Sequence, residues 1–190
     1  MGKIHEAIDG RLRAFIEAQP MFFVATAPSG SGGHINLSPK GMTGTFAVLG
    51  PRRVGYLDYL GSGAETIAHL RDNGRVVIMF CAFAGPPNVV RLHGTGRAIL
   101  PADPDHDGLL AAFPGARTHG LRSIIDVTVE RISDSCGFAV PLMDYVGDRD
   151  LLAEWAGRRT DADLADYANT RNAHSIDGLP ALPGPIAVTG

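Results

Sequence analysis

Two runs dense in β-forming side chains, residues 75–83 and 89–100, are separated only by a linker centred on Gly85-Pro86-Pro87-Asn88, which makes them a hairpin. Further runs of the same character occupy residues 21–27, 34–38, 45–49, 54–60 and 123–132. The first pair is joined by the turn Pro28-Ser29-Gly30-Ser31-Gly32-Gly33, and the next by Gly50-Pro51-Arg52-Arg53. A doubly wound parallel sheet needs a crossover helix between most strands, and here one helical segment interrupts the whole series. The expected fold is therefore mainly β with flanking helices, an antiparallel, Greek-key-like barrel of six or seven strands.

Three helical regions surround that series. Ile4, Ala7, Ile8, Leu12, Phe15 and Ile16 recur at three- and four-residue intervals, predicting an amphipathic helix over residues 4–19 that Pro20 stops. After Gly61 the period changes again. Ser62 and Glu65 have capping-box spacing, and Ile67, Leu70 and the stop Asn73-Gly74 define a short helix. Leu151, Leu152, Trp155, Leu164, Tyr167 and Ala168 predict a helical tail, with Thr160 and Asp163 as a second capping box. Residues 175–185 hold too much Gly and Pro for either element, and are expected to wrap over a surface. The organisation expected is a barrel domain over residues 1–145 with a helical extension over 146–190 packed on it.

Composition narrows the function classes. With 45% apolar and 19% charged residues, 190 residues can bury a core. A formal net charge of −3 and scattered basic residues give no footprint for nucleic acid. No stretch approaches the length of a membrane span, and residues 1–6 lack an apolar signal core. Cys81 and Cys136 are too few for a disulfide framework and lack metal-site spacing, which fits a reducing, cytoplasmic setting.

Several patterns could carry chemistry. The turn from Leu60 into the helix exposes unpaired N–H groups where a phosphate would sit well, with Gly61 and Gly63 allowing close approach and Ser62 and Thr66 supplying hydroxyls. The alternative is that Ser62 and Glu65 only cap the helix, and Glu65 would repel a dianion there. Asn36-Leu37-Ser38-Pro39-Lys40-Gly41 sets a hydroxyl and a cation beside a proline-fixed bend. Arg91 lies inside a strand and needs a partner, either a carboxylate such as Asp58 or an anionic ligand. Asp103-Pro104-Asp105-His106-Asp107-Gly108 starts like a calcium loop, but the twelfth position is Pro114 and not Glu, so no metal is assigned. His93 reads as a hydrogen-bonded structural histidine, and Trp155 as a helix-packing side chain that could otherwise stack on a ring.

The ordered set Ser38-Pro39-Lys40, Tyr56-Leu57-Asp58-Tyr59, Gly61-Ser62-Gly63-Ala64-Glu65-Thr66, Asn73-Gly74-Arg75-Val76 and Val90-Arg91-Leu92-His93-Gly94-Thr95-Gly96-Arg97-Ala98 resembles the pyridoxamine 5′-phosphate oxidase-like family of FMN-binding split barrels. The resemblance covers roughly residues 10–135 and looks like an uncharacterised branch. It implies a homodimer with FMN at the subunit interface. The flavin ring edge would meet the backbone from Asn36 through Lys40, with Ser38 and Lys40 contacting ring or ribityl chain. Tyr56, Asp58 and Tyr59 would form a wall, Ser62 and Thr66 would adjoin the phosphate, and Arg91 would lie against the flavin. The implied activity is a flavin-dependent oxidoreductase acting on a small molecule, with NAD(P)H as a candidate reductant. The Arg-Lys pair that holds the phosphate in the oxidase itself is replaced by Glu65-Thr66, which points away from a vitamin B6 phosphate as substrate. Coenzyme F420 as the cofactor, and a non-catalytic flavin, F420 or haem carrier, remain alternatives.

Overall fold

The computed structural model describes residues 2–182 and Gly184, so Pro183 and Pro185 of the Gly/Pro-rich tail lie outside the described residues. In chain order the elements are β1 (Ile4–His5), α1 (Gly10–Glu17), β2 (Met21–Thr26), β3 (Asn36–Gly41), β4 (Phe46–Gly50), β5 (Arg53–Tyr59), α2 (Glu65–Asp72), β6 (Arg75–Cys81), β7 (Val89–Ile99), α3 (His106–Leu110), β8 (Leu121–Ser135), α4 (Leu151–Gly157) and α5 (Asp161–Arg171). Seven strands follow one another in the order β3-β2-β6-β7-β8-β5-β4, all antiparallel, and β1 pairs with the end of β8. The two ends of that path, β3 and β4, are not hydrogen-bonded to each other. This is a half-open, split barrel.

Side-chain alternation decides what fills it. Phe22 and Val24 of β2, Ile78 and Phe80 of β6, Val90 and Leu92 of β7, Tyr56 of β5, and Ile125 and Val127 of β8 point inward and are buried. Leu12 and Ile16 bring one stripe of α1 onto the same core, with Ile8 just before the helix, and Ile67 and Leu70 do so from α2. Leu164 and Ala168 of α5 join it, with Ala181 and Leu182 from the tail.

Residues 121–132 alternate poorly in sequence because both faces of β8 are covered. Ile125 faces the barrel, while Ile124 packs with Leu57, Ile99, Leu109 and Phe113 in a second cluster beneath α3. That helix is absent from the sequence expectation, since its five residues include Gly108 and follow an aspartate-rich turn.

The first helix also departs from expectation. Ile4 and His5 are extended against β8, and α1 starts only at Gly10, where the Asp9 carboxylate accepts the Leu12 N–H at 2.8 Å. At α2 the expected Ser62–Glu65 capping box does not form: the N-cap is Ala64, without a side-chain cap. Its tail counterpart does form, with Thr160 and Asp163 bonded reciprocally at the start of α5.

Candidate functional site

Where β3, β5 and the turn into α2 meet, charge has been drawn inside the barrel. Asp58 is 1% exposed, yet it pairs with β8 at a register shift that lets Arg122 turn inward beside it. Arg122, itself 3% exposed, donates to Asp58 Oδ2 from Nε at 2.9 Å and from Nη2 at 2.8 Å. The third hydrogen bond of this guanidinium goes to the Gly63 carbonyl at 2.9 Å, and the Ser123 hydroxyl donates to Asp58 at 3.1 Å. Across the split, Lys40 of β3 reaches Asp58 Oδ1 at 3.3 Å. Burial pushes the Asp58 carboxyl up, but the Arg122 and Lys40 charges and the hydrogen bonds outweigh it, so its pKa lies below the ordinary value. Two cations answer one carboxylate. One positive charge is left over at the only member of the group that is not sealed in, the partly exposed Lys40.

Behind this cluster the inward side chains of β3 form a polar row. Asn36 Nδ2 donates to Thr66 Oγ1 at 3.1 Å and to Thr26 Oγ1 at 3.2 Å, and the Ser38 hydroxyl donates to Asn36 at 3.0 Å. Thr26 is hydrogen-bonded to the buried His69 ring at 2.9 Å. The Tyr56 hydroxyl is fully buried beside Thr66, and burial holds its pKa well above the ordinary range.

The turn that carries Gly61, Ser62 and Gly63 is braced from outside. Asn172 donates to the Gly61 carbonyl at 2.9 Å, and Glu65 accepts the Ile176 N–H at 3.3 Å. Ser62 is exposed on this turn, and the Glu65 carboxylate stays near Gly63.

A cleft of about 600 Å³ opens beside Lys40. Pro39, Leu57, Tyr59, Leu60 and Gly61 supply its floor, and residues 143–152 its far wall. That size suits a cofactor-sized molecule, and the lining is apolar with charges of both signs, Lys40 on one side and Asp144, Asp148 and Arg149 on the far wall. Arg149 adds a second exposed cation to the lining. Thus three expected residues, Pro39, Lys40 and Tyr59, line the cleft. Asp58 sits beneath it, while Asn36, Ser38, Tyr56 and Thr66 belong to the polar row behind.

Arg91 falls elsewhere. It lies on the outer face of β7, opposite Met79 and Ser133, and its hydrogen bond goes to Ser135 at 3.1 Å. The suggested Arg91–Asp58 pairing is therefore replaced by Arg122–Asp58. The strand begins at Leu121, two residues before the expected 123–132 run, and so takes in Arg122; a charge at the head of an apolar run is the sequence signal for it. His93 also differs from expectation, because its Nδ1 is buried without a partner. Trp155 packs edge-on against Tyr167 at 5.0 Å and beneath the Arg159 guanidinium at 4.0 Å, a helix-packing role.

Fold and site together define a split-barrel protein with a small-molecule cleft at the open seam. Comparison with known proteins names the family. A profile described as pyridoxamine 5′-phosphate oxidase matches residues 8–136. A pyridoxamine 5′-phosphate oxidase family protein, ustO of Aspergillus flavus, is 39% identical over 194 aligned positions, covering 94% of this chain and 77% of that protein. The chain belongs to the pyridoxamine 5′-phosphate oxidase family. Among solved structures, HupZ of Group A Streptococcus superposes with a TM-score of 0.51 at 18% identity, over 72% of this chain and 99% of that one. An FAD-binding protein of Mesorhizobium loti does so with a TM-score of 0.50 at 13% identity, over 70% and 95% of the two chains. At these identities the likeness concerns the fold.

Proposed function

We propose that this chain binds a flavin, FMN, in the Lys40 cleft and serves as a flavin-dependent oxidoreductase for a small molecule. The observation that carries the reading is the buried Asp58–Arg122–Lys40 group, whose surplus positive charge stands at the floor side of the cleft, across from the Asp144, Asp148 and Arg149 wall. The residues present fit the cofactor. The leucines and Pro39 suit a planar ring, Lys40 suits an electron-rich edge or a phosphate, and the Gly61–Gly63 turn leaves backbone N–H groups open next to Ser62. A Cβ on Gly61 would meet nothing closer than the Tyr59 carbonyl at 4.0 Å, so the approach is open there.

When bound, a flavin supplies two-electron and one-electron transfer, and the protein supplies orientation and electrostatics. Arg122 ties the Gly63 carbonyl to Asp58, which fixes the shape of the turn. Lys40 is held by the same carboxylate, so its ammonium is aimed at the cleft before any ligand arrives. Pro39 and Leu57 exclude water from the floor. The name of the Mesorhizobium loti relative as an FAD-binding protein supports a flavin as the ligand class. A second copy of the chain is proposed as the partner, packed on the outer face of β2, β3 and β6.

The test is a spectrum and a titration. The purified protein is expected to show flavin absorbance, or to gain it stoichiometrically on adding FMN. Lys40→Ala should weaken FMN binding by roughly tenfold or more, as for a charged hydrogen bond of about 1.5–3 kcal/mol. A colourless protein that gains no absorbance overturns the proposal. Tight binding without reduction by NAD(P)H or turnover of any acceptor would leave a flavin carrier.

A further inference from the structure

A second hollow, of about 980 Å³, adjoins the Lys40 cleft and has a different character. Its lining includes Phe22, Phe46, Phe80 and Phe83, together with apolar side chains of α1 and β4. Phe46 stands edge-on to both Phe22 and Phe80, with ring centroids 5.0 Å apart in each pair. Phe22 and Phe80 are buried whereas Phe46 is only half covered, so Phe46 is the ring of this trio that a ligand can reach. An assembled aromatic corner of this kind favours another ring over an aliphatic chain, through edge-to-face and offset contacts.

The charges at the rim exclude an anion. Arg13 and Glu17 are paired with each other at 3.2 Å on α1, and the remaining charged residue of the lining is Asp144, which is exposed. A phosphate placed here would meet no free cation and one carboxylate.

The two hollows communicate. They share Pro20, Gly41, Met42 and Phe83, and residues 143–145 pass over both. This strap is tied at two points. The Met143 N–H donates to the Phe83 carbonyl at 2.9 Å, and Asp148 accepts both the N–H and the hydroxyl of Thr43 at 2.8 Å. Met42 beneath it has φ 76, a left-handed conformation that a methionine adopts only at a cost. The hollow opens on the inward side of β2 and β6, since Phe22 and Phe80 face it. A second copy packed on the opposite, outward face would leave it open.

We infer that this hollow is the substrate chamber and takes a neutral, aromatic small molecule lying against Phe46 and Phe83 at the edge of the flavin cleft. The assignment rests on the flavin reading above and adds the substrate class to it. The volume lies within the range of small-molecule sites.

The test uses the full chain and two probes, 1-naphthol and 1-naphthyl phosphate, titrated by calorimetry, with FMN titrated separately by absorbance. Naphthol is expected to bind once per chain, with the phosphate about tenfold weaker or worse. Phe46→Ala should weaken naphthol by about tenfold and leave FMN affinity within about twofold. Ala84→Trp, at an exposed rim position where folding is not at stake, should block naphthol in the same way. FMN binding without naphthol binding overturns the chamber and spares the flavin site, as does naphthol binding that neither substitution affects. Equal or tighter binding of naphthyl phosphate overturns the neutral class. Failure of FMN to bind overturns the reading beneath it.

Discussion

Arg122 is the residue on which the site turns. It is sealed in with Asp58, and removing it leaves that buried carboxylate with only Lys40 and Ser123 to answer it. Breaking one side of a buried pair costs about 3–5 kcal/mol, far more than a surface ion pair is worth. Arg122→Ala should therefore lower the unfolding free energy by that order, read as a sharp fall in the urea midpoint. It should also release the Gly63 carbonyl, so that any variant that still folds binds FMN poorly. Lys40, being partly exposed, should affect affinity more than stability. The pH dependence has a definite sign. The folded-state pKa of Asp58 is below the ordinary 3.8, so its contribution is complete above 3.8 and is lost as pH falls through and below that value. The stability difference between the protein and Asp58→Asn should be constant at neutral pH and shrink on acidification past 3.8. A difference that grows instead would mean the carboxyl is protonated in the native state.

At the level of elements, the β7–β8 ladder depends on one glycine. The register slips between His93 and Gly94, and a Cβ on Gly94 would run into the Thr128 carbonyl of the neighbouring strand. Gly94→Ala should destabilise by several times the ~1 kcal/mol of a typical substitution, read as a fall in Tm. Gly108→Ala is the control: nothing lies within 4 Å of its Cβ, and in α3 it should be neutral or stabilise by about 0.5–1 kcal/mol. Gly94 also shows what sequence can carry. A hairpin with Gly94-Thr95-Gly96 in its return strand was legible from β-forming runs, and an antiparallel barrel followed from having one crossover-length helix. The bulge was not, because register depends on which carbonyl lies opposite. For the same reason the Asn36-to-Lys40 strand could be singled out from local chemistry, whereas Arg122, 64 residues from Asp58, could not be paired with it. Ser62 and Glu65 had capping spacing, but the Glu65 carboxylate accepts the Ile176 N–H from the distant tail while Arg122 and Asn172 hold the turn by its carbonyls, a tertiary effect invisible to local pattern.

For the whole molecule, the open question is what covers β3. This edge strand ends the sheet, with Leu37 64% exposed and Ile35 before it 78% exposed. On the same outward face Phe23 of β2 and Val77 and Met79 of β6 are only half covered. An edge strand beside an apolar patch invites association unless something blocks it; Pro39 and Lys40 blunt one end of β3, while Leu37 and the patch beside it stay uncovered. A second copy related by a twofold axis would bury the patch against itself and set Arg91, His93 and Arg131 of the same face near the interface. Leu37→Glu puts a carboxylate at its centre. Sedimentation at micromolar concentration should then report a dimer for the unaltered chain and a monomer for the variant. Pro39 and Lys40 lie two and three residues beyond Leu37 on the same strand, so a dimer-borne flavin site predicts that the monomeric variant loses FMN affinity as well. A variant that is monomeric and binds FMN unchanged would place the complete site within one chain, since the Asp58–Arg122–Lys40 group needs no second copy to form.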